Sequence, residues 1–201
     1  MDNIEKELEA GRAVILPTET VYGIFAKALD QEAVDYIYEL KRRPRDKALN
    51  LNVADEKTIR IYSKNQPSYL TKLIHSFLPG PLTIILQANE KVPNWIHSGL
   101  DTVGFRIPAH PKTLDLIRKF GPLVGPSANL SGHASGTKYR AIVSEFDQVV
   151  PGIEDDDFLT GQDSTILDIS SSKSRILRQG SITKADLLAQ VPELSFEEDE
   201  L

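Results

Sequence analysis

The chain has 201 residues, 40% of them hydrophobic and 26% charged, enough to bury one sizeable core as a single domain. Zero cysteines exclude disulfides, thiolate zinc sites and a cysteine nucleophile. The net charge of −6 hides a mildly basic body, because nine acids lie in Glu154-Asp155-Asp156-Asp157 and between Glu193 and Leu201; the remainder carries +3, a sign that admits a phosphate-bearing ligand.

No run of about 18 apolar residues occurs, so no transmembrane helix is expected. The acidic start Met1-Asp2-Asn3-Ile4-Glu5 lacks an apolar signal core and points to a cytoplasmic protein. His75, His97, His110 and His133 are scattered without metal-ligand spacing, so no protein metal site is expected.

In chain order, Asp2 to Ala10 reads as a short helix stopped by Gly11, and Ala13 to Leu16 as a buried strand. Pro17-Thr18-Glu19-Thr20-Val21-Tyr22-Gly23 follows, suited either to a polar pocket wall just past a strand end or to strand with its threonines in water. Asp30 caps a helix from Gln31 to about Arg42, and Pro44 ends it. Five bases crowd Lys41 to Lys47, more than helix-end electrostatics needs, and a compact basic loop of this kind can hold phosphates without a P-loop. Ala48 to Val53 alternates, sending Leu49, Leu51 and Val53 inward and Asn50 and Asn52 to the opposite face.

Helices are expected from Asp55 and from about Ser68 to Leu78, then a strand over Leu82 to Leu86. In Thr102 to Pro108, Val103, Phe105 and Ile107 share one face, while Thr102, Gly104 and Arg106 share the other, where Gly104 leaves room for a ligand. Pro111 to Phe120 is a predicted helix leading into Gly121 to Gly132, a short apolar strand that turns at Gly125-Pro126 and offers Ser127, Asn129 and Ser131. That stretch suits a loop closing on an oxygen-rich ligand, or a turn in which Asn129 or Ser131 caps the next helix. A helix over Thr137 to Phe146, strands over Gly161 to Ile169 and Ser174 to Gly180, and a helix starting at Thr183 complete the pattern. Strands and helices interleave without a repeat or linker, so a single α/β domain with a mixed sheet flanked by helices is expected.

Gly-x-Gly-x-x-Gly and Walker spacings are absent, and Gly125-Pro126-Ser127-Ala128-Asn129 ends in Asn where a nucleophile elbow needs Gly. Seven short motifs nevertheless stand in register. They are Pro17 to Gly23, Lys41-x-Arg43-Pro44, Pro79-Gly80-Pro81-Leu82-Thr83, Arg106-x-Pro108, Pro126 to Gly132, Asp163-Ser164-Thr165-Ile166 and Leu177-Arg178-x-Gly180. In this order they resemble the YrdC-like family across nearly the whole chain. While the five acids and no base from Glu193 to Leu201 read as a frayed, solvated acidic tail over 193–201, the resemblance implies a twisted α/β sheet with a basic concave face and a catalytic domain over residues 1–192. It implies threonylcarbamoyl-AMP synthase activity: ATP, L-threonine and bicarbonate joined with release of pyrophosphate, Mg2+ accompanying ATP, and the product passed to a tRNA-modifying transferase complex.

The same resemblance implies roles for individual residues. Lys41, Arg43, Ser127 and Asn129 match the family's signature pairs at the nucleotide site. Arg43, Lys47, Thr102, Ser127, Ser135 and Arg178 would hold ATP, and Thr20, Asn52, Arg106, Gly125 and Ser164 would hold threonine, with Arg106 forked onto its carboxylate. Asn52 departs from the pattern, since relatives commonly carry His there, and an amide cannot act as a base. Two rival readings stand beside this one: a non-catalytic module for tRNA or double-stranded RNA that uses the same basic face, with direct tRNA contact, and a family branch handling another carbamoyl substrate or none.

Overall fold

Local signals place most helices where the sequence calls for them. Asp30 accepts from the Ala33 amide and starts α2 (Gln31–Leu40), and Asp55 does the same for Thr58 at the head of α3 (Glu56–Tyr62). Pro111 occupies the first turn of α6 (Pro111–Phe120), and a reciprocal Thr183–Asp186 capping box opens α8 (Lys184–Gln190). The computed structural model describes residues 3–197. Its other helices are α1 (Asn3–Glu9), α4 (Leu70–Phe77), α5 (Asn94–His97) and α7 (Tyr139–Val143). Among the described residues no helix is long and apolar enough to cross a membrane.

Among the described residues nine strands form one mixed sheet. They are β1 (Val14–Leu16), β2 (Gly23–Lys27), β3 (Leu51–Asn52), β4 (Ser63–Lys64), β5 (Leu82–Ala88), β6 (Thr102–Arg106), β7 (Leu123–Val124), β8 (Thr165–Asp168) and β9 (Arg175–Arg178). Their order is β1-β2-β7-β3-β6-β5-β8-β9, with β4 on β5; β3–β6 and β5–β8 run parallel and the other pairs antiparallel.

Register explains where the cleft lies. Leu51 pairs with Val124 and Phe105, whereas Asn52 pairs with Leu123 and Arg106. Paired residues share a face, so one face carries Leu51, Phe105 and Val124 into the main core with Ile84 and Leu86. The opposite face changes character along the sheet. Towards β1 and β2 it is apolar, and Val14, Leu16, Phe25 and Leu123 pack against Ile4 and Leu8 of α1 and Leu116 and Ile117 of α6. At β3, β6 and β5 it turns polar, presenting Asn52, Arg106, Gly104 and Thr83.

The acidic tail differs in part from expectation, and a second acidic stretch is tied to the body. The segment expected to fray from Glu193 is anchored as far as Glu197: Leu194 is buried, Ser174 donates to Ser195 and Glu197 donates to Ser174. Residues 198–201 of the expected tail lie outside the described residues. The Glu154–Asp157 run is docked through a buried tyrosine described below.

Candidate active site

The cleft over the polar part of the sheet encloses about 250 Å³ and is lined by residues of β2, β3, β5, β6, β8 and β9 and by the loops leaving β7 and entering β8. The Gly125-Pro126-Ser127 turn is sewn to the start of β2: the Ile24 amide donates to Pro126, and the Ala128 amide donates to Tyr22. Gly125 is sterically required, because a Cβ there would run into the Phe25 ring and come within 2.7 Å of the Asn52 amide nitrogen. Asn52 is itself buried and its Nδ2 donates to the Leu123 carbonyl at 3.4 Å.

Arg106 is held at the floor. Its Nη2 donates to Glu19 Oε1 and to Thr20 Oγ1, each at 2.6 Å, and lies 3.4 Å from Thr18 Oγ1. Glu19 Oε2 accepts from the Ala109 amide at 2.8 Å, so the carboxylate is fixed from two sides. Arg106 Nε is buried and has no partner, a spare donor beside a polar cleft. On the β8 side, Arg178 donates from Nε to the Ser164 carbonyl and from Nη2 to the Ser164 hydroxyl, both at 3.0 Å, and its Nη1 lies 3.7 Å from Asp163 Oδ2. Thr83 and Ser164 hydroxyls meet at 3.0 Å, and Ser135 Oγ donates to Asp163 Oδ1 at 3.2 Å, joining the 131–138 loop to the cleft.

The five bases after α2 separate. Arg42 and Arg45 turn outward onto Asp147 and Asp35. Arg43 lines the cleft and donates to the carbonyls of Ala48 at 2.8 Å and Lys47 at 3.2 Å; burial lowers its pKa. Lys41, only 2% exposed, runs beneath the loop leaving β7 and donates from Nζ to the Ser127 and Asn129 carbonyls. Burial pushes its ammonium down to about 8, and the nearby Arg43 charge adds to the shift. Asn129 Nδ2 then donates to the carbonyls of Leu130 at 2.8 Å and His133 at 3.0 Å, so Lys41 and Asn129 both shape the loop from within.

Tyr22 closes one wall. Its hydroxyl donates to Asp156 Oδ1 and accepts from the Asp155 amide, both at 2.8 Å, and desolvation raises its pKa, keeping it protonated. Asp156 also accepts from the Tyr139 amide, and Asp155 Oδ2 lies 3.2 Å from His110 Nε2.

The Sua5/yciO/yrdC family model, described as "Telomere recombination", matches residues 6–180. The chain belongs to this family. It is 36% identical to the threonylcarbamoyl-AMP synthase of Pyrococcus abyssi over 93% of this chain and 56% of that protein. It is 38% identical to the Bacillus subtilis enzyme of the same name over 92% of this chain and 54% of that protein. The chain thus spans little more than half the length of these two curated relatives. The crystal structure of P. abyssi Sua5 complexed with L-threonine superimposes with a TM-score of 0.88 at 35% identity, covering 96% of this chain and 57% of that one. E. coli YciO, at 22% identity and a TM-score of 0.78, shares the fold.

Within this Sua5/yciO/yrdC chain the cleft brings together Arg43, Asn52, Arg106, Gly125, Ser127, Ser164 and Arg178 of the residues singled out from the sequence. Thr20 stands behind Arg106 and Ser135 behind Asp163. Lys41 and Asn129 support the loop. Lys47 is exposed, and Thr102, at the outer end of β6, shares the face of Gly104 and Arg106 without lining the cleft. The sequence placed Glu19 only in a general pocket wall and gave no role to Thr83 or Asp163, although each sits inside one of the seven motifs. Their part depends on partners far along the chain, which short spacing does not reveal.

Proposed function

We propose that the chain forms threonylcarbamoyl-AMP and pyrophosphate from ATP, L-threonine and bicarbonate. The observation that carries this reading is Arg106, a fixed guanidinium with a spare buried donor, sharing one cleft with the cationic Arg43 and the small-residue turn at Ser127. That arrangement suits an amino-acid carboxylate beside a nucleotide. In the proposed reaction a carbamate oxygen of N-carboxythreonine attacks the α-phosphorus, and pyrophosphate leaves with the electron pair of the broken P–O bond. Positioning and charge neutralisation can supply most of that catalysis without a covalent enzyme intermediate.

In this reading Arg106, Thr20, Asn52, Gly125 and Ser164 hold threonine, while Arg43, Lys47, Thr102, Ser127, Ser135 and Arg178 hold ATP. Lys41 and Asn129 keep the 127–131 turn in shape for the phosphates. In this reading Mg2+ is carried mainly by the ATP phosphates. Asp163, a carboxylate lining the cleft, would share Mg2+ with those phosphates, and the ion would offset phosphate charge. We further infer a cytoplasmic location, and tRNA modification as the destination, with a transferase receiving the product.

The test is to incubate the purified chain with ATP, L-threonine, bicarbonate and Mg2+ and identify the nucleotide product by mass spectrometry. Pyrophosphate release should require threonine and bicarbonate together. Equal release with either omitted would mean plain ATP hydrolysis and overturn the proposal.

A further inference from the structure

Three guanidiniums line the cleft, and their surroundings differ in charge. Arg106 carries Glu19 at 2.6 Å, with the two side chains only 13% and 14% exposed. Arg178 carries Asp163 at a looser 3.7 Å, with side chains 43% and 37% exposed. Arg43 instead donates to the main-chain carbonyls of Lys47 and Ala48. The cleft therefore has a charge-balanced end at Arg106 and a net-positive end at Arg43.

Glu19 cannot swing away from this pairing. Its second oxygen accepts from the Ala109 amide, and its own carbonyl accepts from the Thr160 amide at 3.0 Å. Arg106, for its part, keeps the buried and unpartnered Nε. A locked, neutral pair attracts a bare anion weakly, since the carboxylate cancels most of the field the guanidinium would exert. The same pair suits a zwitterion: the spare donor serves a carboxylate, and the lone pairs left on Glu19 favour an ammonium nearby.

We infer that Glu19 is the specificity-determining residue at the amino-acid end of the cleft, selecting a zwitterionic amino acid over a plain carboxylate or a phosphate. It thereby leaves Arg43 as the preferred seat for polyphosphate. This inference rests on the reading of the cleft as a threonine and ATP site and names what enforces that division.

Calorimetric titration with L-threonine and with 3-hydroxybutyrate, its counterpart lacking the amino group, tests it. The wild-type chain should prefer threonine, and Glu19→Gln should shrink that preference by about tenfold or more while ATP affinity stays within about twofold. An unchanged preference in a Glu19→Gln chain that still binds ATP overturns the inference and leaves the functional reading standing. If the variant loses ATP affinity or its folded melting transition, the wild type decides. Its threonine affinity should vary by less than about twofold between low and high sodium chloride, while ATP affinity falls. A threonine dependence as steep as that of ATP overturns the inference. Failure of the wild type to bind threonine at all removes the functional reading and this inference with it.

Discussion

Lys41 Nζ donates to the main-chain carbonyl of Ser127 at 2.5 Å, across a separation of 86 residues. A second bond runs to the Asn129 carbonyl, and the Ser131 amide returns a bond to the Lys41 carbonyl at 3.0 Å. The end of α2 and the loop leaving β7 are thus one unit. The ammonium points at carbonyls rather than into the cleft, so the first base of the signature pair acts by holding the turn that presents Ser127. Arg43, two residues later, supplies the cleft with charge.

Lys41 should therefore leave a pH signature in stability. Its folded value of about 8 lies below the ordinary 10.5, so the unfolded chain binds this proton more tightly. The destabilising effect of burying the ammonium is full below about 8 and is relieved as pH rises towards the unfolded value. Between pH 8 and 9.5 the wild type should gain about 1.5 kcal/mol relative to Lys41→Met, whose buried methyl does not titrate. Urea melts of both proteins across that range measure the difference, and parallel curves would remove the titrating ammonium from the account.

The two cleft arginines should separate in kinetics. Arg43→Ala should mainly weaken ATP use and Arg106→Ala should mainly raise the threonine requirement, each by about 2–5 kcal/mol, the usual loss when a buried anion loses a charged partner. Arg106→Lys should rescue poorly, because an ammonium cannot satisfy Glu19, Thr20 and a ligand carboxylate with one planar fork. Apparent affinities for both substrates in each variant provide the measurement. Unchanged threonine affinity in Arg106→Ala would remove it from the carboxylate site.

Much of the fold was legible because its signals are local. Asp30, Asp55, Pro111 and Thr183 mark helix starts within one turn, and alternation in Thr102 to Ile107 put Gly104 and Arg106 on the cleft face before any pairing was known. β2 escaped because Gly23–Lys27 has four buried residues in a row, leaving no period of two to read. α5, four residues long, has no side-chain cap. The site was legible as a set of motifs and not as a set of contacts. Glu19 meets Arg106 across 87 residues, and Asp156 meets its buried donor, the Tyr22 hydroxyl, across 134.

Tyr22→Phe should loosen that acidic segment. Removal of the hydroxyl takes a donor from Asp156 and the acceptor from the Asp155 amide, a loss of about 1–3 kcal/mol in a part-buried setting. The melting temperature should fall, and limited proteolysis should cut sooner between Glu154 and Leu159. Equal cleavage rates for the two proteins would show that the segment is held by the His110 and Tyr139 contacts alone.

The chain should make the activated intermediate without completing tRNA modification by itself. The cleft of about 250 Å³ is lined by residues assigned to ATP and to threonine. A tRNA adenosine would have to reach the carbonyl while both substrates' remnants still filled that space. Charge also opposes approach: Asp155 and Asp156 are tied to Tyr22 and Asp163 lines the cleft, so carboxylates beside the cleft repel a phosphate backbone that comes close. A separate transferase should therefore take the intermediate after release or in a transient complex. The measurement supplies the purified chain with ATP, L-threonine, bicarbonate, Mg2+ and unmodified tRNA, then digests the tRNA and assays the threonylcarbamoylated nucleoside. The expected result is free intermediate in solution and unmodified tRNA. Efficient modification with no added protein would mean that the cleft opens to admit the adenosine, and that the acidic wall at Tyr22 moves aside to let it in.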